Sequence, residues 1–303
     1  MPASPDDISV LVEGPWSHRD VSANGVRLHV AEAGSGPLVL LLHGFPQFWW
    51  TWRHQLVALA DAGFHAVAPD LRGYGASDKT PRGYDAATLA ADVAGLIRAL
   101  GERDAVLVGH DWGALLAWSV ASLQPAAVRR LVVLDMAHPL RMRQALLSDR
   151  AQLRASWYLA PFQVPRYGER LVARDDAAFV GRLLHEWSGP GWPDGPIERR
   201  YRSAAQIPGV AHSALEYYRW AVRSLPRPDG VRFARQLRRP VDAPTLQLHG
   251  SLDTCVLPST ALGSQRYVRG DYQWRLLDGV GHFPHEEAPD RVSPELVDWA
   301  RRS

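Results

Sequence analysis

The pentapeptide Gly-His-Asp-Trp-Gly at residues 109–113 combines a potential nucleophile with two small neighbours. It follows an apolar run at 105–108 and precedes another at 114–118, so it should join a buried strand to a helix. Such a junction lifts one side chain above a sheet, and the flanking glycines remove side chains that would clash there. The N–H groups at the start of the helix favour an anion. The pattern predicts that Asp111 is a nucleophile, with an ordinary helix N-cap as the alternative.

Two further polar residues follow strand-like runs later in the chain. Asp253 comes just after residues 245–248, and His282 comes just after residues 274–277. Polar groups at the carboxyl ends of neighbouring parallel strands meet at one edge of a sheet. The order nucleophile, acid, base along the chain is that of the α/β-hydrolase fold. We therefore expect Asp253 to orient His282, with Asp135, which follows an earlier strand-like run, as a reserve acid.

The segment His-Gly-Phe-Pro at residues 43–46 follows the apolar run 38–42. In a sheet of this kind, the loop after that strand lies beside the nucleophile turn. The backbone N–H groups of Phe45 and Trp112 are therefore predicted to form an oxyanion hole, which would hold negative charge on a reacting carboxyl group. His43 is better suited to a structural hydrogen bond in the loop than to catalysis.

Several of these stretches resemble the catalytic domains of soluble epoxide hydrolases, a branch of the α/β-hydrolase family, and the similarity covers almost the whole chain. The stretches that resemble the family are residues 43–46, 49–53, 70–77, 109–113 and 281–283. The resemblance implies a helical lid, inserted in the core, with two tyrosines that hold the epoxide oxygen. Tyr158 and Tyr218 match those two positions, whereas the adjacent Tyr217 should point elsewhere on its helix.

The residue types suit the addition of water to an epoxide, which yields a vicinal diol. A carboxylate such as Asp111 suits displacement at a saturated carbon and would form an alkyl-enzyme ester. Tyr158 and Tyr218 can donate hydrogen bonds and a proton to the leaving oxygen. His282 would then activate the water that hydrolyses the ester. The scheme needs no metal and no organic cofactor, and the expected partner is a small-molecule epoxide.

Other functions are compatible with part of this pattern. A haloalkane dehalogenase also uses an Asp nucleophile followed by Trp, but Phe45 stands where some dehalogenases carry Asn, and the tyrosine pair would have no purpose. A fluoroacetate-type dehalogenase would have Arg at the position of Trp112. A non-catalytic ligand-binding protein could keep the fold, although it would not need the complete set of site residues.

The elements that must position these residues alternate along the chain. Residues 1–137 alternate short strand-like runs with amphipathic stretches. Residues 138–240 lack strand-like runs and are predicted to form the helical lid. The alternation returns at 241–303 and ends in a helix predicted from Pro294, with Ser293 as its N-cap. The predicted fold class is α/β, a mostly parallel central sheet flanked by helices, with an inserted helical lid.

Composition excludes several other classes of protein. The 303 residues include 34 Lys and Arg against 32 Asp and Glu, and a net charge of +2 leaves no excess for binding nucleic acid. The apolar run 38–42 is too short to span a membrane, and residues 1–14 do not have the pattern of a signal peptide. The single cysteine, Cys255, cannot form an internal disulfide and fits a reducing compartment. We therefore expect a cytoplasmic protein without membrane or nucleic-acid partners, and a homodimer is left open.

Other titratable residues near these motifs are given no chemical role. His282 and His285 are three residues apart, but no third ligand follows at metal-site spacing, so a zinc site is not expected. Glu286 and Glu287 are expected to lie in a solvated turn. Cys255 is expected to be a small packing residue beside the acid.

Overall fold

The computed structural model describes residues 6–302, in which eight strands form a single sheet. Residues 1–5 of the N-terminal segment, and residue 303, lie outside the described part of the chain. The strands are β1 (Ser17–Ala23), β2 (Val26–Ala33), β3 (Leu38–Leu42), β4 (His65–Pro69), β5 (Ala105–His110), β6 (Val128–Leu134), β7 (Thr245–Gly250) and β8 (Tyr272–Leu277). Their order across the sheet is β1-β2-β4-β3-β5-β6-β7-β8. Strand β2 runs antiparallel to β1 and β4, and the remaining pairs are parallel, which confirms the predicted mostly parallel sheet.

Thirteen α-helices accompany the sheet within residues 6–302. They are α1 (Arg53–Asp61), α2 (Ala86–Ala99), α3 (Trp112–Leu123), α4 (Pro139–Ser148), α5 (Arg150–Ala155), α6 (Leu159–Phe162), α7 (Tyr167–Trp187), α8 (Gly195–Ala205), α9 (Val210–Arg223), α10 (Pro228–Gln236), α11 (Pro258–Leu262), α12 (Pro284–Glu287) and α13 (Pro289–Arg301). Helices α4 to α10 lie between β6 and β7 in the chain. Helix α7 is interrupted at residues 174–177, where the backbone leaves the helical conformation. None of the helices described here combines the length and the apolar character needed to cross a membrane.

The central strands are apolar because helices cover both faces of the sheet. Every residue of β3 and of β5 is buried. These strands pair in parallel with Leu42 opposite Gly109, so the loop after β3 lies beside the turn after β5. In the same way, Leu134 of β6 pairs with Leu248 of β7. The segments that follow these two strands therefore start side by side at the carboxyl edge of the sheet.

Strand β1 is an element that the apolar pattern does not predict, because most of its residues are polar. It forms the edge of the sheet and pairs only with β2, so polar residues are tolerated on its open side. The turn between the two strands is Asn24-Gly25, with φ of 48° and 77°. An Asn-Gly pair at positive φ is typical of a two-residue hairpin, and it is the sequence signal from which this strand could be predicted.

The start of the last helix differs from the prediction. Helix α13 begins at Pro289 rather than at Pro294, which lies inside it, and its N-cap is Ala288. Ser293 therefore does not cap the helix, and its hydroxyl instead accepts a hydrogen bond from the buried Gln55 amide at 3.2 Å. Pro289 takes the first position of the helix, where the missing backbone N–H costs no helical hydrogen bond, whereas Pro294 is the sixth residue and leaves one interior bond unmade.

Candidate active site

Asp111 occupies a strained turn between β5 and α3. Its backbone has φ 49° and ψ −117°, a conformation that L-residues rarely adopt. A side chain on Gly109 would meet the backbone of Gly113, and a side chain on Gly113 would meet the carbonyl of Leu42. Both glycines are therefore required for this close approach of strand, turn and helix. The Asp111 side chain is buried and makes no capping hydrogen bond to α3, so the alternative of an ordinary N-cap was wrong.

The loop after β3 provides the first hydrogen bond to this carboxylate. The Phe45 N–H donates to Asp111 Oδ1 at 2.9 Å. The neighbouring Gly44 has no side chain, and one there would meet the Asp111 carboxylate. The Trp112 N–H was also predicted for the oxyanion hole, but in the described part of the chain it donates no hydrogen bond to this carboxylate. His43 accepts a hydrogen bond from the Leu71 N–H at 3.0 Å, the structural contact expected for it.

His282 lies between the two acidic side chains. Its Nδ1 is 2.8 Å from Asp253 Oδ2, and its Nε2 is 3.7 Å from Asp111 Oδ2. The second distance is too long for a hydrogen bond, and Nε2 is buried without a protein partner. The Asp253 carboxylate is held through its other oxygen, which accepts the N–H groups of Cys255 at 2.8 Å and Val256 at 3.0 Å. Asp111, Asp253 and His282 are thus brought together in one row.

The charges in this row perturb each other. Burial lowers the pKa of His282, but the neighbouring Asp253, Cys255 and Asp111 outweigh burial and raise that pKa well above its usual value. Burial raises the pKa of Asp253, but the charge and hydrogen bonds of His282 and His249 bring it well below its usual value. The acids thus favour positive charge on the His282 ring, and His282 and His249 favour negative charge on Asp253.

Asp135, the reserve acid, lies close to this row but does not contact the His282 ring by a hydrogen bond. Its Oδ1 accepts the Gly250 N–H at 2.9 Å, and its Oδ2 is buried without a partner. Burial and the charge of Asp253 raise the pKa of Asp135 well above its usual value, which disfavours negative charge on this carboxyl. Asp253 is thus the acid that the structure pairs with His282.

One trio of potential metal ligands lies close together among residues 6–302. The ligand atoms of Asp135, Asp253 and His282 are within 4.8 Å of one another. Asp253 and His282 are already hydrogen-bonded to each other, so a cation would have to replace that bond. The arrangement fits an oriented acid–base pair better than an open metal site.

The two tyrosines face the same space from the inserted helices. Tyr158 directly precedes α6, Tyr218 belongs to α9, and their ring centroids are 5.9 Å apart. The Tyr158 hydroxyl contacts Cys255 Sγ at 3.3 Å, and the Tyr218 hydroxyl is buried without a partner. Burial is the main cause that raises the pKa of both phenols well above the usual value, so both keep their protons. Tyr217 points away, as expected, and donates to the Arg72 carbonyl at 2.7 Å.

A cavity of about 160 Å³ joins the nucleophile to the tyrosines. Asp111, Tyr158 and Tyr218 all line it, together with Trp112. The remaining lining residues are mostly apolar side chains of α4, α9 and α10. A ligand in this cavity would meet a carboxylate on the core side and two protonated phenols on the side of the inserted helices.

Comparisons with known proteins agree with this geometry. Residues 37–289 match the family described as alpha/beta hydrolase fold. Epoxide hydrolase A of Mycobacterium tuberculosis is 31% identical over 94% of this chain and 98% of its own length. Epoxide hydrolase 2 of Siraitia grosvenorii has the same identity and the same shares. The chain belongs to the epoxide hydrolase branch of the α/β-hydrolase family.

Solved structures give the same result. The crystal structure of epoxide hydrolase A from Mycobacterium thermoresistibile is similar with a TM-score of 0.81 and 30% identity, covering 94% of this chain and 98% of that one. An epoxide hydrolase of Bacillus megaterium, solved with an inhibitor, has a TM-score of 0.81 and 28% identity, covering 94% and 100%. The match spans both the sheet and the inserted helices, so the epoxide hydrolase fold extends over nearly the whole chain.

In this member of the epoxide hydrolase family, Glu287 holds the loop that carries the histidine. Its carboxylate accepts three backbone N–H groups, from Gly281 at 2.8 Å, Phe283 at 2.9 Å and Gly189 at 2.8 Å. Gly281 and Phe283 flank His282, and Gly189 belongs to the turn after α7. The expectation of a solvated turn was wrong, because Glu287 is partly buried and Glu286 is buried against Arg53. The sequence signal that could have indicated this role is an acidic residue only five positions after His282, close enough in the chain to hydrogen-bond the loop that carries His282.

Gln152 is a second residue that the sequence did not single out. It is fully buried in α5, and its Nε2 donates to the Cys255 carbonyl at 2.9 Å. Its Oε1 accepts the Leu257 N–H at 2.9 Å. Gln152 therefore joins the inserted helices to the loop that follows the acid, much as Glu287 joins them to the loop of the base.

Proposed function

We propose that the protein adds water to epoxides and forms vicinal diols through a covalent ester on Asp111. The observation that supports this most directly is that the Asp111 carboxylate and the hydroxyls of Tyr158 and Tyr218 belong to one buried cavity. A carboxylate nucleophile needs a saturated carbon with a leaving group, and an epoxide oxygen needs hydrogen-bond donors to leave as an alcohol. Membership in the epoxide hydrolase branch supports the same reaction.

In the first step, Asp111 opens the epoxide ring. Oδ2 of Asp111 attacks one ring carbon, the bond from that carbon to the epoxide oxygen breaks, and an alkyl ester forms. Tyr158 and Tyr218 hydrogen-bond the epoxide oxygen, and one of them gives its proton to the developing alkoxide. Oδ1 stays with the Phe45 N–H, which held it before the reaction.

In the second step, His282 directs water to the ester. Its Nε2 removes a proton from a water molecule, whose oxygen attacks the carboxyl carbon of Asp111. The negative charge that develops on Oδ1 is stabilised by the Phe45 N–H and, in this proposal, by the Trp112 N–H. The tetrahedral intermediate then collapses: the bond between Cγ and Oδ2 of Asp111 breaks, the departing alkoxide takes the proton from His282, and the diol leaves. The second proton of the water, left on the new carboxyl group, replaces the one that the phenol gave up, so the carboxylate and the phenol are both restored.

The perturbed pKa of His282 fits this order of events. Burial lowers the pKa of His282, but the neighbouring acids raise it well above its usual value, so they stabilise the imidazolium that forms when His282 takes a proton from water. Esterification of Asp111 removes one of those negative charges, so the pKa of His282 falls when the ester forms. Asp253 keeps its charge when the ester forms, so it still stabilises the imidazolium and holds the ring in place through Nδ1.

The proposal also covers the domain limits, the cellular compartment and the partner of the protein. We assign residues 138–240 to a lid that carries both tyrosines, and residues 1–137 and 241–303 to the catalytic core. The single cysteine supports a reducing compartment such as the cytoplasm. The proposed partner is a small-molecule epoxide, and a homodimer remains a prediction.

A paired assay tests the reaction. Purified protein is incubated in parallel with styrene oxide, monitored for the diol, and with 1-bromobutane, monitored for bromide. We expect diol from the epoxide and no bromide above the uncatalysed rate. Bromide release without diol would favour a dehalogenase. Calorimetric binding of styrene oxide without turnover would favour a ligand-binding protein.

A further inference from the structure

The cavity above Asp111 extends to one side only. From Asp111 and the two tyrosines it runs outward between α4, α9 and α10. The side chains on this side include Leu146, Val222, Leu225, Phe233, Ala234 and Leu237. Nearly all of them are apolar, so this side can accept a hydrocarbon substituent.

The opposite side of the site is closed by aromatic rings. Phe45, Phe162 and Trp187 are at most 2% exposed, and none of them lines the cavity. The Phe45 ring centroid is 5.8 Å from that of Phe162 and 6.5 Å from that of Trp187. Phe162 is also 5.1 Å from Tyr218. These three residues, which we call the aromatic wall, pack directly against the tyrosines that would hold the substrate oxygen.

Little space remains behind Phe45, the member of the aromatic wall that belongs to the core. The void beyond Phe45 has a volume of about 10 Å³, enough for about one water molecule. An epoxide ring has two carbons, and their substituents point toward opposite ends of the carbon–carbon bond. When the oxygen is held by the tyrosines and one substituent enters the open side, a substituent on the other carbon is directed at the wall.

We infer that the substrates of this site are terminal epoxides with one apolar substituent, and that Phe162 is a residue that excludes internal epoxides. This inference rests on the proposed function, because it assumes that the epoxide reacts with Asp111. Closed packing resists the insertion of extra carbon atoms, since interior side chains must leave their preferred rotamers to make room. Selection of terminal over internal epoxides therefore follows from the shape of the cavity and requires no polar contact to the substituent.

Two isomeric epoxides separate this inference from the reaction itself. The compounds 1,2-epoxyoctane and trans-4,5-epoxyoctane have the same atoms and similar hydrophobicity. We expect kcat/KM for the terminal isomer to exceed that for the internal isomer by about a hundredfold. Equal values would overturn the inference and leave the proposed function intact. Absence of diol from both isomers, and from styrene oxide, would overturn the proposed function as well.

Variants on the two sides of the site sharpen the test. Phe162→Ala should raise kcat/KM for the internal isomer by about tenfold, because it removes part of the aromatic wall. Phe179→Ala is the matched control, since Phe179 packs on Phe162 at 6.1 Å, but its ring pairs with Phe162 and Trp157 rather than with Tyr158 or Tyr218. Equal gains in both variants would contradict a specific role of Phe162.

A variant on the open side keeps the test decisive if Phe162→Ala fails to fold. Ala234 is half-buried in α10 and lines the cavity. Ala234→Trp should fill the open side and lower kcat/KM for 1,2-epoxyoctane about tenfold, while 1,2-epoxypropane, which needs little space there, reacts as before. Unchanged turnover of 1,2-epoxyoctane would show that the substituent does not use this side, and the inference would fall.

Discussion

The catalytic groups of the core and those of the inserted helices are held in different ways. On the core side, Asp111 is fixed by a strained backbone and the Phe45 N–H, and His282 is fixed by Asp253. On the side of the inserted helices, the Tyr218 hydroxyl has no partner, and the Tyr158 hydroxyl contacts only the Cys255 thiol, a weak hydrogen-bonding group. Each core side chain is therefore fixed by at least one strong hydrogen bond before substrate binds, although Nε2 of His282 also lacks a partner, whereas neither tyrosine hydroxyl has a strong hydrogen bond.

This difference indicates which part of the reaction each region serves. A buried hydroxyl without a hydrogen bond costs about 1–3 kcal/mol, which aromatic packing around the two phenols must offset. An epoxide oxygen would satisfy both hydroxyls at once, so the unpaired donors favour binding of this group. The core, in contrast, needs a fixed geometry, because its residues transfer protons and form a bond over short distances.

The strongest test of the comparison is the removal of a core group. Asp111→Ala should lower turnover about a millionfold and leave no covalent adduct. His282→Ala should also stop turnover, but only after one equivalent of epoxide is bound as an ester, because alkylation does not require the base. Mass spectrometry of each variant after exposure to styrene oxide checks both outcomes. A His282→Ala protein without added mass would contradict the two-step scheme.

Replacement of the acid should have the next largest effect. Asp253→Asn should slow ester hydrolysis about 10⁴-fold, because the amide no longer holds the ring in the required tautomer. Asp253 also helps to raise the pKa of His282, so its neutralisation should lower that pKa. The acid limb of the rate of ester hydrolysis, measured in single turnovers, should then move to lower pH.

Asp135→Asn provides the control for this experiment. Asp135 makes no hydrogen bond to His282, and burial disfavours its negative charge, so the variant should keep most of the activity and an acid limb close to that of the parent. An equal loss in both variants would mean that the two acids share the role.

Loss of one phenol should have a smaller effect than loss of the acid. Tyr158→Phe and Tyr218→Phe should each slow alkylation about a hundredfold, because the remaining hydroxyl still supports the epoxide oxygen. Hydrolysis of the ester should change little, and rapid-quench measurements of the two steps separate these rates. Tyr217→Phe is the matched control, since this neighbour donates to the Arg72 carbonyl outside the site. Slower ester hydrolysis in the site variants would contradict the division between the two regions.

The smallest effect is expected where the two regions are joined. Glu287→Gln replaces one acceptor oxygen by an amide NH₂ that faces a backbone N–H, so at least one of its three hydrogen bonds is lost. The free energy of unfolding should fall by about 1–3 kcal/mol, measured by urea denaturation. Ester hydrolysis should slow by up to about tenfold, more than alkylation does, because the loop of His282 loosens.

Glu286→Gln is the control for the Glu287 variant. Its carboxylate contacts Arg53 and Tyr201 rather than the loop of the histidine. It should lose stability without a selective change in ester hydrolysis. If both variants slow the two chemical steps equally, Glu287 supports the fold alone and does not position the base.

Short-range sequence signals predicted the core of the site well. The glycines at 109 and 113 and the strand ahead of them predict the turn that lifts Asp111, because such a turn excludes side chains on both flanks. Apolar runs on both faces likewise predict the covered parallel strands. Prediction from sequence was less accurate where a local pattern had two interpretations. The start of α13 is an example, since Pro289 and Pro294 can both occupy the first turn of a helix.

Sequence by itself thus determined which side chain stands on the turn, the order along the chain of the strands that carry its partners, and the type of chemistry that a carboxylate can perform. Strands β6 and β7 are neighbours, so Asp135 and Asp253, which follow them, both start near His282. Only the tertiary structure shows that Asp253 is the acid hydrogen-bonded to His282. It also decided that Glu287 and Gln152 join the two regions, and that the aromatic wall closes one side of the cavity. These features depend on contacts between residues far apart in the chain, and local periodicity and turn chemistry do not encode such contacts.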